Sequence, residues 1–136
     1  MKVLLSIKPE FVKEIFEGRK KFEYRKSIFT KDVTSVIVYS TKPEGMIVGE
    51  FKVKKVLHES PEKLWDDTHD YSGITKAFFD EYFYGREKGY ALQIVNPVRY
   101  KKPINPFDVF ASFVAPQSFK YVEENESALN FAIVGL

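Results

Sequence analysis

Opposite charges are concentrated in residues 18–25, which read GRKKFEYR. Side chains alternate between two faces along an extended chain, so Lys21, Glu23 and Arg25 are predicted to share one face of a short strand. Ammonium and guanidinium groups donate hydrogen bonds, and a carboxylate accepts them. This face can therefore bind a polar ligand, while the two aromatic residues between the charges pack on the other face.

The charge of the whole chain is too small to hold a polyanion by itself. Lysine and arginine number 21 against 19 acidic residues, so the net charge is +2, and the pI is about 8.6. Affinity for nucleic acid must then come from local clusters of cations. One cluster spans residues 19–26 and includes a carboxylate. Two others, at 52–55 and 99–102, are typical of solvated strand faces.

Composition favours a single soluble domain in the cytoplasm. The 136 residues are 44% hydrophobic and 16% aromatic, which suffices for one core. A membrane-spanning helix needs a run of about 18 apolar residues, and the sequence contains none, so no membrane partner is expected. No cysteine is present, which excludes disulfides and thiolate metal sites and fits a reducing compartment. The first residues, MKVLLS, become polar too early for a secretory signal.

Five predicted elements place the charged segment early in the fold. Residues 3–7 have the pattern of a strand, and a helix is predicted to begin at Pro9 and to end at Gly18. The charged strand follows directly. Residues 35–40 are predicted to form a buried strand, and a turn then leads into a longer strand over 46–57.

Helices and a proline-rich segment are predicted in the second half. Residues 60–62 resemble a helix start, and a second helix is predicted over 75–84. A core strand is predicted over 90–95 and continues over 98–101, after which three prolines between 103 and 116 break the chain. Strands outnumber helices and mostly follow one another directly. This order favours an α+β fold built on a small mixed β-barrel with two or three helices.

Motifs along most of the chain are similar to one protein family. The residues LLSIKP at 4–9 precede the helix, and the pattern Gly-x-Lys-x-x-Glu-x-Arg follows it at 18–25. Further motifs are VIVYST at 36–41, IVG at 47–49, GYAL at 89–92 and PQSF at 116–119. This series resembles ASCH domains, named after activating signal cointegrator-1 homology and related to PUA domains. The resemblance covers about residues 1–121 of a single domain and leaves 122–136 as a C-terminal extension.

The resemblance implies a PUA-like mixed β-barrel with two or three flanking helices and a cleft beside the first helix. The ligand class that it implies is RNA or a nucleotide-sized molecule. Lys20 and Arg25 are suited to phosphate, Glu23 to a base amino group, and aromatic side chains to base stacking. The residues predicted to bind the ligand are Lys8, Lys20, Glu23, Arg25, Ser40 and Thr41. The aromatic candidates are Tyr24, Tyr39 and Trp65, each equally suited to a core. The structural alternative for Glu23 and Arg25 is an ion pair that closes the barrel.

Amide hydrolysis is a second hypothesis that the resemblance implies. Small bacterial members of the wider ASCH group remove the acetyl group of N4-acetylcytidine with a lysine, a threonine and a glutamate. Lys20 occupies the position of that lysine, and Glu23 stands in place of the threonine. Asp70 is the candidate for the later acid, with Glu62 and Asp67 as alternatives. A partly desolvated lysine can act as a base or nucleophile, but a carboxylate beside it keeps it charged, so binding is favoured.

A regulatory role is the third hypothesis. Residues 118–136 combine an acidic patch, at Glu123, Glu124 and Glu126, with an apolar end at 131–134 that is predicted to dock as a strand. Such a tail can bind a protein partner or a second copy of the chain. No metal or other cofactor is expected, since the two histidines lack metal-binding spacing and no phosphate-binding glycine loop is present.

Overall fold

The computed structural model describes residues 1–122, which form six strands, four α-helices and one turn of 3₁₀-helix. In chain order the elements are β1 (Lys2–Ile7), α1 (Pro9–Phe16), β2 (Phe22–Arg25), β3 (Ser35–Ser40), β4 (Met46–Glu59), α2 (Pro61–Thr68), the 3₁₀-helix (His69–Tyr71), α3 (Lys76–Tyr82), β5 (Gly89–Ile104), α4 (Pro106–Val109) and β6 (Phe119–Val122). The predicted α+β class is confirmed. The helix α4 is one more than the sequence indicated.

The first helix begins and ends where the sequence predicts. Pro9 occupies the first turn, where its missing N–H leaves no hydrogen bond unmade, and Val12 and Ile15 are buried. Gly18 has a φ of +83°, a conformation that glycine adopts without strain and that ends helices. The chain then enters Lys20 and β2 directly, so the end of α1 determines where the charged segment starts.

The strands form one mixed sheet in the order β2-β5-β4-β3-β1-β6. Strands β1 and β3 run parallel, and the other neighbours are antiparallel. Within residues 1–122 the edge strands β2 and β6 are not hydrogen-bonded to each other, so the predicted barrel is not closed. Both edge strands are only four residues long. A side chain spans the gap instead: Arg25 of β2 donates to the carbonyl oxygens of Ser6 in β1 and Ser118 just before β6.

The long strand β5 passes through two prolines. Asn96 has a φ of +52°, and the register between β4 and β5 shifts several times, so an irregularity accommodates Pro97. The strand continues past this proline as predicted. Pro103 was expected to break the chain but lies inside β5. Pro106 instead begins α4, at a position that proline tolerates because the first helical N–H has no intrahelical partner.

Two helical layers cover the sheet around β2. Helix α1 packs Val12 and Ile15 against the central strands. Helices α2 and α3 cover β2 and β5 through a cluster formed by Tyr24, Leu64, Phe79, Phe83 and Ala91. As a result α1, β2 and α3 converge on one region. No helix in the described residues is long and apolar enough to span a bilayer. The predicted acidic patch and the strand predicted at 131–134 lie outside the described residues.

Candidate functional site

A cavity of about 320 Å³ lies beside the start of α1, at the edge where the sheet does not close. Its walls come from the end of β1, the first turn of α1, β2 and α3, together with Gln117 just before β6. Four of the six residues predicted to bind a ligand line this cavity: Lys8, Lys20, Glu23 and Arg25. The fold therefore brings together side chains from separate elements.

Lys20 carries a buried charge, because its side chain is only 1% exposed. Its Nζ donates a hydrogen bond to the carbonyl oxygen of Ser72 at 2.8 Å and lies 3.8 Å from Glu23 Oε1. The same nitrogen stands over two aromatic rings, 4.8 Å from the centroid of Tyr24 and 5.5 Å from that of Phe11. Ring faces attract cations. The ammonium group is thus held by a carbonyl, a carboxylate and two rings.

Burial lowers the pKa of Lys20 from 10.5 to about 8, and the nearby Glu23 carboxylate opposes this shift. The cause is desolvation, which disfavours the charged form of a lysine. A pKa of about 8 lies above neutral pH, so the charged form predominates at pH 7. Lys20 is therefore mainly a cation at neutral pH and titrates just above it.

Glu23 and Arg25 form an ion pair on the same face of β2. Glu23 Oε2 accepts a hydrogen bond from Arg25 Nη1 at 3.2 Å. Arg25 also donates through Nη1 to the carbonyl oxygen of Ser6 at 3.4 Å and through Nη2 to that of Ser118 at 2.6 Å. The ion pair named as the structural alternative is present, although the barrel that it was expected to close stays open. The guanidinium is occupied by one carboxylate and two backbone carbonyls.

A turn after the 3₁₀-helix places the Ser72 carbonyl against Lys20. Gly73, the next residue, has a φ of +66°. A Cβ atom at this position would lie 2.8 Å from Lys20 Cγ and closer still to Lys20 Cβ. Only glycine combines this backbone conformation with so close an approach. Gly73 is therefore part of the structure that positions the lysine.

Helix α3 supplies an aromatic wall, and one lysine stands over each of its two rings. Phe78 and Tyr82 both line the cavity, and their rings are stacked with centroids 6.5 Å apart. Lys8 Nζ lies 4.9 Å from the centroid of Phe78, and Lys26 Nζ lies 4.7 Å from that of Tyr82. Both lysines are exposed, and we refer to them as the rim lysines.

The ASCH domain family matches residues 5–110. This range contains the charged segment and every residue that lines the cavity except Gln117. The chain belongs to the ASCH domain family. The resemblance found in the sequence motifs is thereby confirmed.

This ASCH domain is similar in sequence to several known proteins and similar in fold to a solved structure. An ASCH domain-containing ribonuclease of Zymomonas mobilis is 26% identical over 131 residues, which is 91% of this chain and 86% of the relative. The crystal structure of ASCH from Zymomonas mobilis matches with a TM-score of 0.89 at 24% identity, over 97% of this chain and 94% of that one. A large ribosomal subunit protein uL22 of Ureaplasma parvum is 25% identical over 122 residues, covering 89% of this chain but 39% of the relative.

Two residues predicted to bind a ligand do not line the cavity beside α1. Ser40 is fully buried at the end of β3, and its Oγ has no hydrogen-bond partner among the described residues. The backbone N–H of Thr41 donates to the carbonyl oxygen of Ile7 at 3.0 Å. Neither residue lines the cavity, since β3 carries them to the opposite side of β1 from β6.

The acid proposed for hydrolysis is also separate from the lysine. Asp70 lies on the 3₁₀-helix with its side chain 83% exposed, 3.3 Å from His69 Nε2. It lines a neighbouring, larger cleft rather than the cavity that holds Lys20. The alternatives lie on α2, where Glu62 is exposed and Asp67 pairs with a lysine. The ASCH cavity therefore contains Lys20 and Glu23 without any of the three predicted partner acids.

The predicted alternation fails at one residue. Lys21 precedes β2, which begins at Phe22, so strand alternation does not apply to it. Its side chain is exposed and stacks over Tyr71 at 4.4 Å, while Lys20 enters the cavity instead. Of the predicted aromatic residues only Tyr24 lines the cavity. The lining residues that were not singled out for binding include Phe11, Phe78, Tyr82 and Gln117. The helical periodicity of α3 and the PQSF motif were the available signals for the last three.

Proposed function

We propose that this ASCH domain binds single-stranded RNA and takes one unstacked nucleotide into the cavity beside α1. The observation that carries the proposal is the combination of hydrogen-bond donors, one carboxylate and aromatic walls in one space of about 320 Å³. Ligand sites in proteins commonly measure ~300–1,000 Å³, so this cavity suits a single nucleotide. Sequence-specific RNA recognition commonly uses bases that have left the stack.

Glu23 is the acceptor for the base in this proposal. One carboxylate oxygen, Oε2, is occupied by Arg25, while Oε1 lies 3.8 Å from Lys20 Nζ, beyond hydrogen-bond distance. Glu23 Oε1 is a hydrogen-bond acceptor that lies beside the donor group of Lys20. This pair is complementary to a base edge that has an amino group next to an accepting ring nitrogen, as in adenine and cytosine. The arrangement favours bases with an exocyclic amino group over uracil.

The aromatic side chains are the stacking surface for that base. Phe78 and Tyr82 present parallel rings from one face of α3, and Phe11 meets Phe78 edge to face at 5.0 Å. Stacking of a base on an aromatic ring contributes about 1–3 kcal/mol. The Zymomonas mobilis relative, an ASCH domain-containing ribonuclease, supports RNA as the ligand class.

Fluorescence anisotropy with a labelled 12-nucleotide single-stranded RNA tests the proposal. We expect wild-type protein to bind this RNA, and Tyr82→Ala to bind it about tenfold more weakly because a stacking ring is lost. Tyr82→Phe keeps the ring and should bind like wild type. Tyr84→Ala is the matched control, since Tyr84 lies two residues further on, is 89% exposed and does not line the cavity. No binding by wild type, or equal weakening by both alanine variants, would contradict the proposal.

Hydrolysis is the second candidate, favoured by the lowered pKa of Lys20 beside a carboxylate. A neutral amine is the form that acts as a base or nucleophile. At pH 7 most Lys20 side chains are charged, so we expect wild-type protein to leave both RNA and N4-acetylcytidine intact. Gel analysis of the RNA and loss of absorbance of the nucleoside measure this directly. Turnover that increases between pH 7 and 9 and disappears in Lys20→Met would instead identify a hydrolase.

A further inference from the structure

The cations inside the cavity already have partners in the protein. Lys20 donates to the Ser72 carbonyl oxygen and stands over two rings. Arg25 donates to two backbone carbonyls and to Glu23. A phosphate would have to displace these acceptors. It would also approach the Glu23 carboxylate, and like charges repel strongly where water is scarce. The interior is thus suited to a neutral group that carries both donors and acceptors.

The rim lysines, Lys8 and Lys26, have no such partners. Within residues 1–122 neither side chain forms a hydrogen bond or an ion pair, and each is exposed. Each instead stands over one ring of α3, at 4.9 Å from Phe78 and 4.7 Å from Tyr82. A cation over a ring face keeps its N–H groups free for an anion. Lys8 lines the cavity, and so does Tyr82, the residue whose ring Lys26 stands over.

We infer that the rim lysines bind the two phosphates that flank the inserted nucleotide, and that the cavity interior holds only its base and ribose. This inference rests on the proposed RNA binding. The two rings belong to residues one helical turn apart, so the lysines stand at two neighbouring positions along the aromatic wall. A nucleotide within a strand has a phosphate on each side, which matches two cations beside one cavity. The assignment of phosphate to Lys20 and Arg25, expected from the sequence, is replaced by Lys8 and Lys26.

The salt dependence of RNA binding tests the inference. For single-stranded nucleic acid, the logarithm of the binding constant falls with the logarithm of salt concentration by about 0.7 for each phosphate neutralised. We expect Lys8→Met and Lys26→Met each to reduce this slope by about 0.7, and the double variant by about 1.4. Methionine keeps an apolar side chain over the ring. Lys31→Met is the matched control, because Lys31 is also exposed and stacks over a ring, that of Tyr121 at 4.8 Å.

The outcomes separate this inference from the proposed function. If wild-type protein does not bind the 12-nucleotide RNA, both fail. If wild type binds but neither rim variant changes the slope, RNA binding stands and the inference is overturned. A slope that falls in Lys20→Met but not in the rim variants would also overturn it, since the phosphate would then lie inside the cavity.

Discussion

Lys20 and Lys26 flank the same short strand and carry the same charge, but their surroundings are opposite. Lys20 is 1% exposed and is held by Ser72, Glu23 and two rings, whereas Lys26 is exposed and stands over the ring of Tyr82. A buried cation loses its hydration, so the folded protein is stable only if carbonyl, carboxylate or aromatic groups replace the lost water. An exposed cation keeps its hydration and is screened by salt. The interior charges therefore bind one another and the backbone inside the cavity, whereas in our proposal the rim charges are the ones available to an anion.

Removal of the buried counter-charge should have the largest effect. Glu23→Ala leaves Lys20 and Arg25 in the interior without a carboxylate, and we expect the free energy of unfolding to fall by about 3–5 kcal/mol. Urea denaturation measures this loss. Glu87→Ala, which removes an exposed carboxylate, should leave the urea midpoint unchanged. A loss of less than about 1 kcal/mol in Glu23→Ala would show that the three charges do not depend on one another.

The turn behind Lys20 should be the next most sensitive position. In Gly73→Ala the new Cβ meets Lys20 and the backbone keeps a positive φ, so we expect a loss of about 2–4 kcal/mol. Gly85→Ala is the matched control, with a φ of +78° and no atom within 4 Å of its Cβ. Its expected loss is about 1 kcal/mol, from the backbone alone. Equal losses in the two variants would mean that the contact with Lys20 does not affect the free energy of unfolding.

The pKa of Lys20 predicts how stability changes with pH. Because the folded-state pKa is lowered to about 8 from 10.5, the unfolded chain binds more protons between these values, and stability rises with pH in that range. The difference in unfolding free energy between wild type and Lys20→Met should shift by about 2 kcal/mol in favour of wild type from pH 7.5 to 9.5. Tyr24, whose pKa is raised to about 12 by burial, titrates above this window. A difference independent of pH would contradict the burial of a charged lysine.

The smallest effect is expected where a charge pair is exposed. Lys63 and Asp67 are 2.9 Å apart on the surface of α2, with both side chains about half exposed. Water and salt screen such a pair, and many of them contribute nothing measurable. Lys63→Ala should leave the urea midpoint unchanged. A loss as large as that of Glu23→Ala would remove the distinction between buried and exposed charges.

Local structure was largely predictable from the sequence because it depends on neighbouring residues. Ser60 and Thr75 begin α2 and α3 by accepting hydrogen bonds from backbone N–H groups three residues later, and Gly18 ends α1. The pairing of Glu23 with Arg25 follows from strand alternation. These features require no knowledge of distant parts of the chain.

The parts that were not predictable depend on distant contacts. Nothing in the segment 18–25 indicates that Ser72 accepts from Lys20 or that Ser118 accepts from Arg25. The choice between Lys20 and Lys21 depends on where β2 begins, which is fixed by pairing with β5. The open edge of the sheet has the same origin, because it results from two short strands that are far apart in the chain.

The most direct test of the central claim is NMR chemical-shift mapping of the protein during titration with the 12-nucleotide RNA. The account predicts that the largest amide shifts cluster at the cavity, at residues 6–8, 20–25, 74–82 and 117. Large shifts confined to the exposed basic residues at 52–55 and 99–102, with the cavity residues unchanged, would contradict it. RNA would then bind the sheet surface and not the cavity.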